Sequence, residues 1–497
     1  MIRKLLVANR GEIAVRVVRA AREMGISTVA VASEADRNAA HARLADRVVD
    51  IGPSEPTASY LDMSKLLAAA AETGADAIHP GYGFLSERPE FAEACRDAGI
   101  VFVGPPPEAM RRLGAKIDAK LLAVEAGVPV TPGFFEAGAT PAQLKAAADD
   151  LGYPVMLKAS AGGGGRGMRA LRDPADFDRE LALASEEALK AFGDGAMMVE
   201  KLIDRPRHVE VQLLADAHGN VACLFERECS IQRRHQKLIE ESPAPAVLSV
   251  PDLWNGMREA ASKLARAAGY VGAGTVEFMV DTDTGRFYFL EVNARLQVEH
   301  PVTEAVTGVD LVQWQLRIAS GEPLVLDAPL MAGDRTALRG CAIEARIVAE
   351  DPAQGFLPSV GRILAWAEPR APGVRVDTGF GPDAEVTRYY DSLLAKVIAH
   401  AETRPAAIAR LVQALEDFHI LGVRTNIAYL LDILGSEGFV SGAIDTGYLA
   451  RTFPEWSGEH AIPDELGALA ERAFVTAPTG GSTGAWDAND RFRNNAG

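Results

Sequence analysis

Glu277 and Glu291 sit in two strand-like runs that flank Asp281-Thr-Asp-Thr-Gly285, a turn sequence. With the turn centred near Thr284, the two carboxylates become cross-strand partners, their Cβ atoms about 5 Å apart. Like charges so placed destabilise a hairpin unless something positive lies between them. A hard divalent cation held together with nucleotide phosphates would do that, since Mg²⁺ takes one or two protein carboxylates. Asn293, two residues beyond Glu291 on the same face, offers a further oxygen. The alternation runs on, with Glu291, Asn293, Arg295, Gln297 and Glu299 on one face and Val292, Ala294, Leu296 and Val298 on the other. Asn and Gln bring no strand propensity, so this face points to function. A solvated strand face is the plain alternative, and a break into a loop near Arg295 would alter the geometry.

A second element is Pro154-Val-Met-Leu-Lys158 followed by Ala159-Ser-Ala-Gly-Gly-Gly-Gly-Arg-Gly167. The run satisfies G-x-G-x-x-G, but a dinucleotide fingerprint must open a helix, and Met168-Arg-Ala-Leu171 reads as a strand. A strand–loop–strand flap over phosphates fits better, because glycines let backbone N–H groups approach an anion. Lys158 would add a point charge. A flexible surface hairpin is the alternative. No G-x-x-x-x-G-K-[S/T] occurs, so this is not a P-loop chain. The third element, Arg233-Arg-His-Gln-Lys237, places four basic residues in five positions of an acidic chain and reads as a local anion site. His235 and Lys237 share a face if the segment is extended; a structural histidine is the other reading of His235.

These residues need a large scaffold. The 497 residues suggest about three domains. Residues 3–8 and 28–33 read as strands around a helix over 12–24 that Gly25 stops, a parallel strand–helix–strand unit. Its Asn9-Arg10-Gly11 turn could hold an anion at the helix start. Further strands fall at 77–79 and 100–103, with a boundary near 115. Helical and strand-like stretches alternate to about 330; helices are expected over 405–417 and 425–435, and a flexible tail from about 475. The net charge of −17 opposes non-specific attraction to nucleic acid or anionic lipid. The four cysteines (Cys95, Cys223, Cys229, Cys341) form neither zinc spacing nor a disulfide framework and read as reduced thiols. No apolar run is long enough to span a membrane, and the first residues do not read as a secretory signal, so a cytoplasmic location is expected.

In this order the elements resemble the biotin carboxylase family of ATP-grasp enzymes. The resemblance runs from about Lys4 to Ala450. It rests on Leu5-Leu-Val-Ala-Asn-Arg-Gly-Glu-Ile-Ala14, His79-Pro-Gly-Tyr-Gly-Phe-Leu-Ser-Glu87, Gly162 to Met168, Ser230-Ile-Gln-Arg-Arg-His-Gln-Lys237, Glu291-Val-Asn-Ala-Arg-Leu-Gln-Val-Glu-His-Pro301 and Tyr389-Tyr-Asp-Ser392. It implies a mixed α/β and α+β multidomain fold. A Rossmann-like N-terminal domain would cover 1–115 and an ATP-grasp region 116–330, with a mobile lid at about 131–203. A C-terminal domain would cover 331–450, and 451–497 would be an extension and flexible tail.

The resemblance implies that ATP, bicarbonate and carrier-bound biotin yield ADP, phosphate and carboxybiotin, with Mg²⁺ or Mn²⁺. Lys116, Lys158, Gly162, Gly163, Gly164, Gly165, Gly167, Met168, Glu200, Lys201, His208 and His235 would bind ATP. Glu277, Glu291 and Asn293 would hold the metal, in agreement with the hairpin argument. Arg295, Gln297 and the Val298 backbone would hold bicarbonate. Glu299 would be the general base, Lys237 would stabilise the transferring phosphoryl group, Arg346 the biotin enolate, and Tyr82 would lie near the biotin.

Two departures lie outside the implied chemistry: Cys341 where the family often has His, and a slightly long hairpin loop at 281–286. None of the eleven methionines is followed by lysine, so the biotinylation motif of fused relatives is missing from this sequence. A separate biotin carboxyl carrier protein or domain and a carboxyltransferase subunit are the expected partners, and a homodimer the expected assembly. Gly484-Ala-Trp-Asp-Ala-Asn-Asp-Arg-Phe-Arg493 is similar to the stretch after the carboxylase part of fused acyl-CoA carboxylase α-subunits. A truncated α-subunit and a complete subunit stay equally open. The rivals are another ATP-grasp ligase activating a different carboxylate, and a catalytically silent scaffold subunit.

Overall fold

The computed structural model describes residues 1–161 and 167–458. The expectations for Gly162, Gly163, Gly164 and Gly165, and for the chain from residue 459 on, lie outside the described residues. The N-terminal part is a parallel five-stranded sheet in the order Arg47–Gly52, Ser27–Ser33, Lys4–Val7, Ala77–His79, Val101–Phe102. The helix Gly11–Glu23 buries Ile13, Val17, Ala20 and Ala21, the apolar stripe expected of it. Gly25 then takes φ +73°, a left-handed turn that suits glycine. The anion expected at the Asn9-Arg10-Gly11 turn finds no room. Asn9 Nδ2 donates to the carbonyls of Pro80 (2.7 Å) and Tyr82 (2.8 Å), and Arg10 is clamped on Asp36 at 2.7 and 2.8 Å. The backbone of Gly379 covers the first turn so closely that a Cβ there would lie 2.4 Å from the Gly11 carbonyl carbon.

An eight-stranded antiparallel sheet forms the centre, in the order Arg286–Asn293, Gly272–Asp281, Arg207–Ala215, Val221–Arg233, Gln236–Ser242, Cys341–Val348, Leu393–Ala401, Val374–Thr378. The sheet runs without a break from the central region into the C-terminal one, through the pairing of Gln236–Ser242 with Cys341–Val348. Helices Arg404–Glu416 and Ile427–Gly435, close to the expected spans, add Ile408, Leu411, Leu430 and Ile433 to the core on the C-terminal side of the sheet. A separate four-stranded sheet (Gly133–Phe134, Met197–Lys201, Val155–Ala159, Met168–Leu171) carries helices Pro141–Leu151 and Phe177–Phe192. It has its own apolar core, including Leu144, Leu157, Phe177 and Val199. Its strands Val155–Ala159 and Met168–Leu171 pair antiparallel, with Lys158 opposite Met168, so the glycine run does join two strands. Among the described residues no helix is long and apolar enough to cross a membrane.

Three local readings meet the backbone here. Glu277 does stand opposite Glu291, but the turn is centred half a residue earlier than expected, since Asp281 pairs with Arg286 and Phe278 with Phe289. A bulge at Leu290 absorbs the difference and restores the Glu277–Glu291 pairing. The polar alternation does not continue as a strand: the strand ends at Asn293, and Glu299 is the N-cap of helix His300–Thr307. Nor is His235 on one strand face with Lys237. Arg233 pairs with Gln236, leaving Arg234 and His235 as a two-residue turn at φ +48° and +67°, which matches the twist of the flanking strands.

Candidate active site

Lys237 is the hub. Its strand projects Nζ among three carboxylates: Glu299 Oε1 at 2.6 Å, Glu210 Oε2 at 2.8 Å and Glu277 Oε1 at 2.9 Å. Burial alone would favour a neutral amine. The three glutamates, Glu210 first, outweigh it and hold the ammonium well above the usual lysine range. Glu210 also accepts from Arg227 Nε at 2.6 Å, and Arg227, wholly buried, spends its other donors on Gln212, Thr275 and Thr303.

Glu277 is the second node. His208 Nε2 lies 3.0 Å from its Oε2, while Asn293 Nδ2 (2.8 Å) and Gln297 Nε2 (3.3 Å) donate to Oε1. Burial would raise this carboxyl, but Lys237 and then His208 push it far below the usual carboxylate range. Arg295 continues the chain: Nε meets Glu87 Oε2 at 2.8 Å, Nη2 meets Asn293 Oδ1 at 3.0 Å and Nη1 meets Gln297 Oε1 at 3.2 Å. Glu291, across from Glu277, has Lys116 Nζ at 3.6 Å. The oxygens of Glu277, Glu291 and Asn293 are hard donors brought together on two adjacent strands, with Thr275 opposite Asn293. That donor set fits Mg²⁺ or Mn²⁺.

Glu299 joins this network to the C-terminal strands. Its second oxygen, Oε2, accepts from Arg346 Nη2 at 2.9 Å, and Arg346 Nε donates to Glu240 Oε1 at 2.6 Å. Burial disfavours the Glu299 charge, but Lys237, then Arg346 and Arg227, hold its carboxyl well below the ordinary range, so it is ionised. The neighbouring Val298 carbonyl accepts from Lys396 Nζ at 2.8 Å. Lys396 also lies 3.3 Å from Glu12 Oε1, the oxygen to which Tyr82 Oη donates.

Of the nucleotide residues expected from the sequence, Lys158 and Glu200 form a buried pair of their own. Lys158 Nζ pairs with Glu200 Oε2 at 2.5 Å, and the other oxygen of Glu200 takes Lys120 Nζ at 2.5 Å. His235, at the hairpin turn, is held below the usual histidine range by burial and by the nearby positive fields of His208 and Lys158. Gly167 takes φ +70°, and a Cβ there would meet the Ala159 Cβ at 2.9 Å, so this end of the loop requires glycine. Lys201 points elsewhere: its ammonium donates to the Gly152 carbonyl at 2.7 Å.

The structure thus brings Lys237, Glu277, Asn293, Arg295, Gln297, Glu299, His208 and Arg346 into one network, and Tyr82 and Val298 onto a branch of it through Lys396. Sequence reasoning missed Glu12, Glu87, Lys120, Glu210, Arg227, Glu240, Glu344 and Lys396. Glu210 follows the flagged His208 with strand spacing and was open to the same reading; Glu12 and Glu87 lie inside the quoted motifs but were given no role.

Residues 1–110 match the family model "Biotin carboxylase, N-terminal domain", 115–326 the "Carbamoyl-phosphate synthase L chain, ATP binding domain" and 344–451 the "Biotin carboxylase C-terminal domain". A biotin carboxylase of Nostoc sp. is 50% identical over 446 residues, covering 90% of this chain and 98% of the relative. The α-subunit of rat mitochondrial methylcrotonoyl-CoA carboxylase is 48% identical over 451 residues, 90% of this chain but 62% of that protein. The chain spans less than two thirds of the length of several such carboxylase subunits. Among solved structures, the biotin carboxylase–beta-gamma-ATP complex of Campylobacter jejuni superposes with a TM-score of 0.86 at 44% identity, covering 91% of this chain and 99% of that one. The biotin carboxylase domain dimer of Hydrogenobacter thermophilus 2-oxoglutarate carboxylase, with MgADP, ADP and bicarbonate, gives 0.87 at 43% identity, covering 93% and 100%. At 50% identity over 446 residues, across nearly the whole of a relative that carries the name, the chain belongs to the biotin carboxylase family.

Proposed function

We propose that this chain carboxylates biotin with bicarbonate and ATP, giving carboxybiotin, ADP and phosphate. The observation that carries this is Glu299, ionised and held between the cations Lys237 and Arg346, next to the Arg295–Gln297 pair. Arg295, Gln297 and the Val298 backbone receive bicarbonate, and Glu299 takes its proton. The freed oxygen forms a bond to the γ-phosphorus as the bond to the ADP oxygen breaks, which yields carboxyphosphate. Lys237, now shared among three carboxylates, is drawn to the transferring phosphoryl group. As its charge is drawn off, Glu299 becomes a stronger base at the moment it is needed.

Carboxyphosphate separates into CO₂ and phosphate. The phosphate removes the ureido N–H proton, and the enolate so formed attacks CO₂ beside the fixed guanidinium of Arg346. Tyr82, whose hydroxyl is tied to Glu12, lines the biotin side. A divalent cation on Glu277, Glu291 and Asn293 would offset the phosphate charge of the nucleotide. Lys116, Lys158, Glu200, His208, His235, Met168 and the glycine loop are assigned to ATP, and Lys201 through its main chain alone, because its ammonium is tied to the Gly152 carbonyl.

The assignment extends to organisation. In this reading residues 1–115 are the N-terminal domain, 116–330 the ATP-grasp region with its lid and 331–450 the C-terminal domain; strands of the last two share the eight-stranded sheet, while the first has its own five-stranded one. A biotin carrier and a carboxyltransferase complete the reaction of an acyl-CoA carboxylase, and the chain acts as a homodimer, by analogy with the dimer named for the Hydrogenobacter domain. The four free cysteines accord with a reducing, cytoplasmic setting. ADP release by the purified chain with Mg²⁺ and bicarbonate, with and without free biotin, tests the reading. Stimulation by biotin that also requires bicarbonate is expected. Bicarbonate-dependent release that neither free biotin nor a biotinylated carrier stimulates would assign the chain to another acylphosphate-forming ligase.

A further inference from the structure

Glu344 is the carboxylate of this region that has no cation of its own. Around it, Glu240 has Arg346 Nε at 2.6 Å, Glu299 has Lys237 at 2.6 Å, Asp377 has Arg375 Nη2 at 2.6 Å and Glu12 has Lys396 at 3.3 Å. Among the described residues both oxygens of Glu344 lack a hydrogen-bond partner, and so does Oε2 of Glu240. Glu240 and Glu344 are directly opposed across the strand pair Gln236–Ser242 and Cys341–Val348, and both are fully buried. Two ionised carboxylates cannot be held in that position without a cation between them. A carboxylic acid facing a carboxylate can, because one proton satisfies both.

We propose that Glu344 keeps its proton and donates it as a hydrogen bond to Oε2 of Glu240, fixing the other oxygen of Glu240 on Arg346. Glu344 is then a positioning residue that acts through Glu240 on the guanidinium. The charged groups that face it are Glu240 from one neighbouring strand, Lys396 from the other, Arg346 on its own strand and Glu299 at the start of helix His300–Thr307. Burial raises the Glu344 carboxyl well above the usual range, against the pull of Lys396 and with the push of Glu240. The consequence concerns Arg346, which already serves two carboxylates. A third negative charge beside it would draw the guanidinium inward and weaken its hold on an anionic reactant, a consequence that rests on the proposed biotin reaction.

The test uses the full chain. Infrared difference spectroscopy between the wild-type protein and Glu344→Gln in D₂O near neutral pH is expected to show a protonated-carboxyl C=O band that the variant lacks. In parallel, the ratio of biotin-stimulated to biotin-free ADP release is measured with Mg²⁺, ATP and bicarbonate. Glu344→Gln, whose amide can still donate to Glu240, stays within about threefold of wild type. Glu344→Ala loses about tenfold to a hundredfold of the ratio through the displaced guanidinium. Absence of the band, or a loss in Glu344→Gln as large as in Glu344→Ala, overturns the proposal. Should Glu344→Ala fail to fold, the band and the Glu344→Gln ratio decide. Should the wild-type chain release no ADP in response to biotin, the biotin reading fails while the band still locates the proton.

Discussion

Lys396 and Arg346 occupy facing positions on adjacent strands, yet each serves a different branch of the site. Lys396 Nζ donates to the Val298 carbonyl at 2.8 Å and Arg346 to Glu240 and Glu299. Like charges so placed are tolerated because carboxylates face both of them. Lys396 therefore pins the segment that carries Gln297 and Glu299 from behind.

Lys396→Met should cost stability and substrate affinity together. It removes the donor to Val298 and leaves Glu12, 3.3 Å from Nζ, as a buried charge without its cation. Breaking a buried pair in this way costs about 3–5 kcal/mol. Urea unfolding should show that loss, and a bicarbonate titration of ADP release should show a raised KM.

Arg295→Ala and Glu299→Gln should each lower turnover by about a hundredfold or more. Arg295 fixes Asn293 and Gln297, and in the proposed reaction it faces the anion while Glu299 takes the proton. ATP binding followed by calorimetry should survive both changes. Near-normal turnover in either variant would remove that residue from the chemistry.

Residue order alone carried the reading as far as local patterns reach. Glu277 and Glu291 were paired by arithmetic on the turn, and the pairing holds because the bulge at Leu290 compensates a turn half a residue off centre. The run from Glu291 to Glu299 shows where such patterns stop. A period of two describes an extended loop as well as a strand, so nothing local revealed that Glu299 begins a helix. The turn at Arg234–His235 was equally hidden, because neither residue belongs to the Asn-Gly type that announces a left-handed turn. Glu12, Glu240, Glu344 and Lys396 are isolated charges within apolar strands or a helix. What makes Glu240, Glu344 and Lys396 a group is the pairing of strands about a hundred and about fifty residues apart in the chain, with Glu12 brought in on helix Gly11–Glu23, and that register is set by tertiary packing.

His79 should make part of the stability depend on pH. Gly81 N–H donates to its Nδ1 at 3.0 Å, so Nε2 carries the proton toward Gln315 Oε1 at 3.2 Å, and the ring is neutral. Burial pushes its pKa down to about 4 from 6.5. Below pH 6.5 the unfolded chain takes up a proton that the folded one refuses, so this contribution is complete above 6.5 and is lost as pH falls toward 4. Buried carboxyls held high, such as Glu344, act in the opposite direction, so a variant comparison is the clean measurement. The stability gap between wild type and His79→Gln should shrink by on the order of 2 kcal/mol between pH 7.5 and pH 5. An unchanged gap would mean that the ring accepts its proton in the folded state.

Glu200 should govern how the small four-stranded sheet is held to the rest of the molecule. Its carboxylate lies between two ammonium groups, Lys158 on the neighbouring strand of that sheet and Lys120 on helix Lys116–Glu125, each at 2.5 Å. Lys120 also donates to the Phe289 carbonyl at 3.2 Å and lies near the rings of Phe135 and Phe289, so it joins strand Met197–Lys201 to the strand that carries Glu291. Burial would raise the Glu200 carboxyl, but Lys158 and Lys120 bring it below the usual range, and it stays ionised. Glu200→Gln leaves two buried ammonium groups sharing a neutral amide, at a cost of about 3–5 kcal/mol. Lys120→Met combined with Glu200→Gln removes one of those stranded charges and should recover part of the loss. Hydrogen exchange supplies the decisive readout. In Glu200→Gln the amides of Val155–Ala159 and Met197–Lys201 should exchange faster than those of Gly272–Asp281, because the anchor lost is the one between the four-stranded sheet and the central one. Uniform acceleration across all three strands would show instead that Glu200 stabilises the chain as a whole and has no particular hold on the four-stranded sheet.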